Sequence, residues 1–275
     1  MRHDNRPIGI FDSGLGGLTV AAALRRELPA ESIIYLGDTA RVPYGSKSRD
    51  TIIEFALEDA DFLLRREVKL VVVACNTVSS IAMTALAKRY PQARFLGVVE
   101  AGVKLALDSG GGERIVVIGT SATVNSDSYR VLLQRSNPAI EVRSIACPLF
   151  VPLVEEGCLS GAIPEQVCRH YLDECLAHPP DALILGCTHY PLLKPLIQGL
   201  LPAGVRIVDS AEACSRAVLD YLKAQEMTAS PGNEGREQFF VTDMPASFFT
   251  LASRFLGHAI AQVDKVSLDT AAPSA

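Results

Sequence analysis

The sequence lacks several patterns that would place it in common protein classes. Its apolar runs, such as Leu70 to Cys75, are far shorter than the ~20 residues needed to span a bilayer. It has no run of Lys or Arg, and its net charge of -5 gives no electrostatic reason to bind nucleic acid or an anionic membrane. We therefore expect neither nucleic acid nor a membrane as a partner.

Signals for export, metal binding and nucleotide binding are also missing. Residues Met1 to Pro7 are polar and have no apolar h-region, so we predict no secretory signal. The seven cysteines include no Cys-x-x-Cys pair, which argues against a zinc ribbon or a thioredoxin-type site. An odd number of cysteines without framework spacing predicts reduced thiols and a cytoplasmic protein. The sequence has no P-loop, no His-x-x-x-His motif and no Ser/His/Asp elbow.

What the sequence does contain is an alternation of short apolar runs with longer amphipathic segments, which is typical of βα units around a parallel sheet. Most apolar runs are continuous, as expected for strands covered by helices on both faces. The predicted strands are Ile8 to Phe11, Ser32 to Leu36, Leu70 to Ala74, Phe95 to Val99, Arg114 to Gly119, Val142 to Ala146, Ala182 to Leu185 and Arg206 to Val208. The predicted helices include Ser48 to Glu67, Val78 to Tyr90, Ala122 to Gln134, Pro164 to Ala177 and Ala211 to Ala224.

Two parts of the chain resemble each other in the residues that follow their strands. One strand runs into Cys75-Asn76-Thr77, and a later strand runs into Cys187-Thr188-His189. In the same order, Asp12-Ser13-Gly14 and Thr120-Ser121-Ala122 follow earlier strands. The echo favours two similar α/β halves, each with one cysteine at a strand end. We also predict a flexible turn over residues 109–112.

Cys75 and Cys187 therefore lie where open parallel sheets bind ligands, outside the carboxyl ends of the strands. Each is followed by polar residues and a predicted helix, whose free N–H groups favour a thiolate and a carboxylate. Either cysteine alone would also fit the role of a small core residue. The remaining cysteines lack such neighbours and are interpreted as structural: Cys147, Cys158, Cys168, Cys175 and Cys214.

Two opposed thiols suit the inversion of an α-carbon, because one proton must leave one face while another arrives on the opposite face. An unperturbed thiol pKa of about 8.5 is near enough to neutral for either role once a neighbour tunes it. Asp12 could tune Cys75, and His189 could assist Cys187. The alternatives are that Asp12 caps a helix over the Gly-rich turn and that His189 is a structural histidine.

Five motifs carry a resemblance to a known family. They are Phe11-Asp12-Ser13-Gly14-Leu15-Gly16-Gly17, Gly37-Asp38-Thr39-Ala40-Arg41-Val42-Pro43-Tyr44-Gly45, Ala74-Cys75-Asn76-Thr77, Pro148-Leu149-Phe150-Val151-Pro152-Leu153-Val154-Glu155-Glu156-Gly157 and Gly186-Cys187-Thr188-His189-Tyr190-Pro191-Leu192-Leu193. In this order the motifs resemble those of the glutamate racemases of bacterial cell-wall synthesis. The resemblance runs from Ile8 to about Gly257.

The resemblance implies a fold of two pseudo-symmetric, doubly wound α/β domains with mainly parallel sheets and an interdomain active site. We place the first domain at residues 1–98 and 209–265, the second at 99–208, and a disordered tail at 266–275. The resemblance also implies that Cys75 and Cys187 act as the two bases with no cofactor: no PLP, metal or nucleotide. A glutamate of the Val-Glu-Glu-Gly motif assists in the family; we choose Glu156, with Glu155 left open.

By motif matching, the implied substrate-binding residues are Asp12, Ser13, Tyr44, Gly45, Asn76, Thr77, Thr188 and His189. We thus expect an isomerase that interconverts L- and D-glutamate, with D-glutamate destined for peptidoglycan. A racemase for aspartate or another acidic amino acid is the nearest alternative. A non-catalytic glutamate-binding protein is the alternative from another class. The sequence leaves the oligomeric state open, with a homodimer as one option.

Overall fold

The structure, a computed structural model, describes residues 3–108, 112–244 and 248–268. The strands are β1 (Ile8–Asp12), β2 (Ile33–Gly37), β3 (Leu70–Val73), β4 (Phe95–Gly97), β5 (Arg114–Gly119), β6 (Glu141–Ala146), β7 (Ala182–Gly186), β8 (Arg206–Asp209), β9 (Glu237–Val241) and β10 (Asp264–Lys265). The helices are α1 (Leu18–Glu27), α2 (Arg49–Leu64), α3 (Asn76–Ile81), α4 (Met83–Arg89), α5 (Val98–Asp108), α6 (Ser121–Asn125), α7 (Ser128–Ser136), α8 (Phe150–Glu155), α9 (Ala162–Ala177), α10 (Lys194–Leu200), α11 (Ser210–Ala224) and α12 (Phe248–Leu256). Short 3-10 helices lie at Tyr44–Ser46 and Tyr190–Leu193.

The strands form two parallel sheets, which confirms the predicted α/β fold class. The first sheet has the order β10-β9-β2-β1-β3-β4, and the second has the order β6-β5-β7-β8. Every strand pairing within the described residues is parallel. The order β2-β1-β3-β4 in the first sheet matches β6-β5-β7-β8 in the second, so the sequence echo corresponds to a repeated topology.

Both sheets bury their two faces, which explains the continuous apolar strands. In β1, Ile8 and Ile10 pack with α1, while Phe11 packs on the opposite face with α2. In β5, Val116 and Ile118 join the same cluster as α8 and α9, and alternate residues of that strand pack against α5 and α7. Since parallel strands point the same way, their carboxyl ends meet along one edge of each sheet.

Several element boundaries differ from the sequence prediction. The predicted strand Phe95 to Val99 ends at Gly97, because Val98 begins α5. The single helix predicted over Val78 to Tyr90 is divided at Ala82 into α3 and α4. The helix predicted over Ala122 to Gln134 is divided into α6 and α7 at Asp127, whose φ of 59° is left-handed and cannot continue a right-handed helix.

Two predicted segments fall partly outside the described residues. Residues 109–111 of the predicted turn and 269–275 of the predicted tail lie outside them. Earlier in that tail, the Val266 N–H donates to the Val241 carbonyl at 2.8 Å, and Leu268 packs against the core. Over the part of the chain that the structure describes, no helix has both the length and the apolarity to cross a membrane.

A buried ion pair lies at the amino end of β3. The Lys69 ammonium contacts the Glu31 carboxylate at 2.6 Å, and both side chains are almost fully buried. The same ammonium donates to the carbonyl oxygens of Asp4 at 2.6 Å and Met227 at 2.7 Å. Through these three contacts Lys69 connects the start of the described chain to the segment after α11.

Candidate active site

The two cysteines selected from the sequence lie at equivalent positions in the two sheets. Cys75 follows β3, and Cys187 follows β7, the strand that occupies the same place in the second sheet. Both are free thiols, and each is 5% exposed. They are close enough that negative charge on Cys187 is among the influences that raise the pKa of Cys75. The geometry therefore supports one shared site.

The surroundings of Cys75 favour the neutral thiol. Its Sγ donates to the Ser13 hydroxyl at 3.4 Å, and Asp12, at the end of β1, lies nearby. Burial and the negative charge of Asp12 raise the pKa of Cys75 to about 12. At neutral pH this sulfur keeps its proton and can act as an acid.

Asp12 is fully buried between the two cysteine turns. Its Oδ2 accepts the Gly14 N–H at 3.0 Å, and its Oδ1 accepts the Thr188 hydroxyl at 3.5 Å. Burial raises the pKa of Asp12, and the charge of His189 opposes that effect. The N-cap position of α1 is Gly17, and this cap has no side-chain hydrogen bond. The carboxylate therefore organises the Gly-rich turn and reaches the Cys187 turn.

The surroundings of Cys187 differ from those of Cys75, because a histidine lies beside its sulfur. The Nδ1 atom of His189 lies 3.9 Å from Cys187 Sγ, and its Nε2 lies 3.1 Å from Glu155 Oε1. Burial lowers the pKa of His189, but its hydrogen bonds to Cys187 and Glu155 outweigh burial and raise this pKa to about 10. At neutral pH the ring is an imidazolium, which donates from both nitrogens and places a positive charge beside Cys187.

The structure distinguishes the two adjacent glutamates. Glu155 is the last residue of α8, and its carboxylate contacts His189. Glu156, chosen from the sequence, follows the helix with an exposed side chain. We therefore give the assisting role to Glu155 in the proposal below.

The Gly-rich turn after β1 packs directly against the Cys187 turn. A Cβ atom on Gly16 would lie 2.5 Å from His189 Nδ1, and a Cβ on Gly17 would lie 2.5 Å from the Asp12 Cβ. The Thr19 hydroxyl also donates to the Thr188 carbonyl, at 3.2 Å. Glycine is required at Gly16 because the two halves approach more closely there than a side chain allows, and at Gly17 because Asp12 of the same turn lies too close.

Hydroxyl groups from both halves meet beside Cys75. The Thr77 Oγ1 lies 3.0 Å from Thr120 Oγ1 and 3.3 Å from Thr123 Oγ1. Neither Thr120 nor Thr123 was among the predicted site residues. The signal for Thr120 was present, because Thr120-Ser121-Ala122 echoes Asp12-Ser13-Gly14.

Asn76 links the first half to the second. Its Oδ1 accepts the Tyr129 hydroxyl at 2.7 Å, and its Nδ2 donates to the Ser210 hydroxyl at 3.4 Å. Both the oxygen and the nitrogen of this buried side-chain amide therefore have partners.

Among the described residues, no three His, Cys, Asp or Glu side chains are grouped to hold a metal ion.

Comparison with known proteins agrees with this arrangement. The model of the Asp/Glu/hydantoin racemase family matches residues 17–218. The glutamate racemase of Geobacter metallireducens is 44% identical over 264 residues, which are 96% of this chain and 97% of that protein. The chain belongs to the glutamate racemase family.

Two solved glutamate racemases share this fold over nearly their whole length. The Francisella tularensis enzyme, determined in complex with D-glutamate, is 41% identical, with a TM-score of 0.91 over 97% of this chain and 99% of that one. The Thermus thermophilus enzyme, determined with β-chloro-D-alanine, is 45% identical, with a TM-score of 0.86 over 96% of this chain and 98% of that one.

In this racemase-family chain, the two residues predicted from the Tyr44-Gly45 motif have different environments. The Tyr44 side chain is buried, and its hydroxyl donates to Asp38 rather than to a group at the cysteines. Gly45 lies against the second half, since a Cβ at this position would be 2.9 Å from the Cβ of Thr120. Gly45 thus borders the site through its backbone, while the Tyr44 side chain faces away from it.

Proposed function

We propose that the protein is a glutamate racemase that supplies D-glutamate for peptidoglycan synthesis by a two-thiol acid/base mechanism. One observation carries the mechanism: Cys75 and Cys187 lie at equivalent strand ends, one beside the carboxylate of Asp12 and the other beside the imidazolium of His189. Membership of the family supports the reaction. The opposite charges beside the two thiols support Cys187 as the base and Cys75 as the acid in one direction.

In one direction, the Cys187 thiolate removes the α-proton and becomes a thiol. The electron pair of the broken C–H bond remains on the substrate. The Cys75 thiol then delivers its proton to the opposite face of the α-carbon and becomes a thiolate. Product release leaves the protonation state from which the reverse reaction starts, so the scheme balances without another reactant.

The residues around the thiols would hold glutamate between them. The D-glutamate of the Francisella tularensis complex supports glutamate as the ligand here. The hydroxyls of Ser13, Thr77 and Thr188 and the Asn76 amide would bind its carboxylates and ammonium group, and the backbone of Gly45 would border it. His189 would stabilise the Cys187 thiolate, and Glu155 would hold the ring of His189 in its charged form.

The proposal includes the organisation of the chain. Residues 1–98 and 209–265 would form one domain, and 99–208 the other, with the substrate between them. The strands of the first sheet lie in the ranges of the first domain, and those of the second sheet lie in the range of the second domain up to the last residue of β8, Asp209. We also propose that the enzyme works in the cytoplasm and needs no cofactor. The oligomeric state stays open, and gel filtration would test whether the chain forms a homodimer.

The test is to follow the circular dichroism of pure L- and D-glutamate solutions with the purified protein and no added cofactor. Both signals should decay to zero, and D-aspartate should give little change. Stable signals with both glutamate enantiomers would overturn the proposal, and faster decay with aspartate would favour the alternative substrate. In heavy water, exchange of the α-hydrogen would exclude a protein that only binds glutamate.

A further inference from the structure

A cluster of charged side chains lies behind the loop that contains Tyr44 and Gly45. We call it the Tyr44 cluster; its members are Asp38, Arg41, Tyr44, Glu58 and Asp59. Asp38 and Asp59 are fully buried, and Asp59 comes from the middle of α2. None of the roles assigned above uses Asp59.

The cluster holds more carboxyl groups than cationic groups. The Arg41 guanidinium donates to Asp38 Oδ2 at 2.5 Å, contacts Glu58, and lies 3.5 Å from Asp59 Oδ1. One positive charge thus faces three carboxyl groups. Burial of uncompensated negative charge is costly, so one of the buried carboxyls should retain its proton.

The hydrogen bonds distinguish the two buried carboxyls, Asp38 and Asp59. Asp38 accepts the Thr242 hydroxyl at Oδ1, at 2.8 Å, and accepts both Tyr44 and Arg41 at Oδ2. Three donors therefore surround Asp38. Asp59 has no comparable set of donors, and burial together with the negative charge of Asp38 raises the pKa of Asp59 well above its ordinary value. Asp59 therefore carries the proton.

The protonated carboxyl completes a chain of hydrogen bonds. The single hydrogen of the Tyr44 hydroxyl is donated to Asp38, which leaves the Tyr44 oxygen free to accept. The Oδ2 atom of Asp59 lies 3.3 Å from that oxygen. Asp59 thus donates to Tyr44, which in turn donates to Asp38.

The loop fixed by this chain borders the active site. Gly45 packs against Thr120, whose hydroxyl contacts Thr77 beside Cys75. Just before Tyr44, the Val42 side chain is close to Gly14, where an added Cβ would lie 3.0 Å from its Cγ1. A shift of this loop would therefore disturb the borders of the site on both halves.

We propose that Asp59 is a positioning residue for racemisation, and that its hydrogen bond to Tyr44 holds the Gly45 loop in place for substrate binding. The inference rests on the proposed function. It assigns Asp59 no contact with substrate. Its effect should therefore appear mainly in KM, since the loop helps to hold substrate rather than to transfer protons.

Two substitutions at Asp59 separate this role from general packing. Asp59→Asn keeps a neutral donor of the same shape, so its kcat/KM should stay within about threefold of wild type. Asp59→Leu removes the donor at similar volume, and kcat/KM should fall about tenfold or more, mostly through KM. Asp61→Leu is the matched control, since Asp61 lies on the same helix but pairs with Arg65 and is 36% exposed; its kinetics should match wild type.

Tyr44→Phe gives a second measurement that does not depend on the folding of Asp59→Leu. It removes the hydroxyl and keeps the ring against Phe55. Its loss in kcat/KM should resemble that of Asp59→Leu, and Tyr44→Phe combined with Asp59→Asn should lose no more than Tyr44→Phe alone. Thermal melting of each variant identifies any that is unfolded.

The outcomes are distinguishable. The inference is overturned if Asp59→Leu lowers the melting temperature but leaves KM unchanged, or if Asp59→Asn loses as much kcat/KM as Asp59→Leu. Unchanged kinetics in Tyr44→Phe would overturn it as well. An inactive wild-type protein would instead refute the proposed function on which the inference rests.

Discussion

The turn that carries Cys75 and the turn that carries Cys187 have the same backbone setting and opposite charges around them. Each follows a strand at the same place in its sheet, and each sulfur is equally buried. Cys75 lies near the carboxylate of Asp12, whereas Cys187 lies 3.9 Å from the imidazolium of His189. The two turns therefore differ in the residues around each sulfur rather than in the path of the backbone.

The difference shows how a symmetric reaction can start from an asymmetric resting state. A thiol near an anion keeps its proton, and a thiol near a cation gives its proton up. In the proposed scheme the resting enzyme holds one acid and one base, which is the arrangement required to invert a carbon centre. A site with two equivalent thiols would have to reach this state before each turnover.

The largest expected effect is the loss of either thiol. Cys75→Ala and Cys187→Ala should each reduce racemisation in both directions by about 10³-fold or more, because alanine can neither take nor give a proton. The circular dichroism assay measures this. Cys158→Ala is the control and should retain activity, since Cys158 is partly exposed and outside the site. An active single variant at Cys75 or Cys187 would rule out the two-thiol scheme.

Removal of the cation beside Cys187 should have the next largest effect. His189→Gln should lower kcat by about 10²-fold, within the usual range for an acid/base group. Alkylation by iodoacetamide at neutral pH, read by mass spectrometry, should slow at Cys187 but not at Cys75. Equal slowing at both thiols would contradict the assigned asymmetry.

His189→Gln should also change how the free energy of unfolding depends on pH. The folded-state pKa of His189 is raised from 6.5 to about 10. Its contribution to the free energy of unfolding should be complete below pH 6.5 and should be lost as the pH rises through about 10. Urea unfolding between these pH values should show a steeper loss of stability in the wild type than in His189→Gln.

Two adjacent glycines allow each cysteine turn to be disturbed separately. Gly16→Ala should press on His189 and so affect Cys187, whereas Gly17→Ala should press on Asp12 and so affect Cys75. Each should reduce kcat/KM by about tenfold or more, because small displacements of reacting groups are costly. The alkylation pattern should differ between the variants; identical patterns would show that the two turns move as one unit.

The smallest predicted effect separates the two glutamates. Glu155→Gln should lower activity several-fold, because Glu155 is half-exposed and acts only through His189. Since Glu155 raises the pKa of His189, its removal lowers this pKa, and activity should be lost at a lower alkaline pH. A pH profile of kcat/KM measures the shift. Glu156→Gln serves as the control. A larger effect of that substitution would assign the assisting role to Glu156, as the sequence predicted.

Much of the fold could be predicted from the sequence because parallel strands buried on both faces are continuously apolar. The predicted strands all occur, and the echo between Cys75 and Cys187 corresponds to the repeated strand order. The strand β9 was missed because its Glu237-Gln238-Phe239-Phe240 start is neither continuously apolar nor alternating. Its place beside β2 is set by long-range pairing.

The site was harder to predict where side chains, rather than motifs, decide the contacts. Glu155 and Glu156 are neighbours in sequence, and only the end of α8 determines which one reaches His189. Tyr44 lies in a recognisable motif, yet its hydroxyl is taken up by Asp38. In such cases the direction of a side chain depends on tertiary packing, which a motif does not encode.

The ion pair of Lys69 limits how far the chain can be trimmed at its start. The ammonium is buried and depends on the Asp4 carbonyl as one of its three partners. Deletion through Asn5 would leave one donor of a buried cation unsatisfied, at a cost of about 1–3 kcal/mol. The short polar segment before β1 therefore contributes to stability by satisfying a charge that is buried at the amino end of β3.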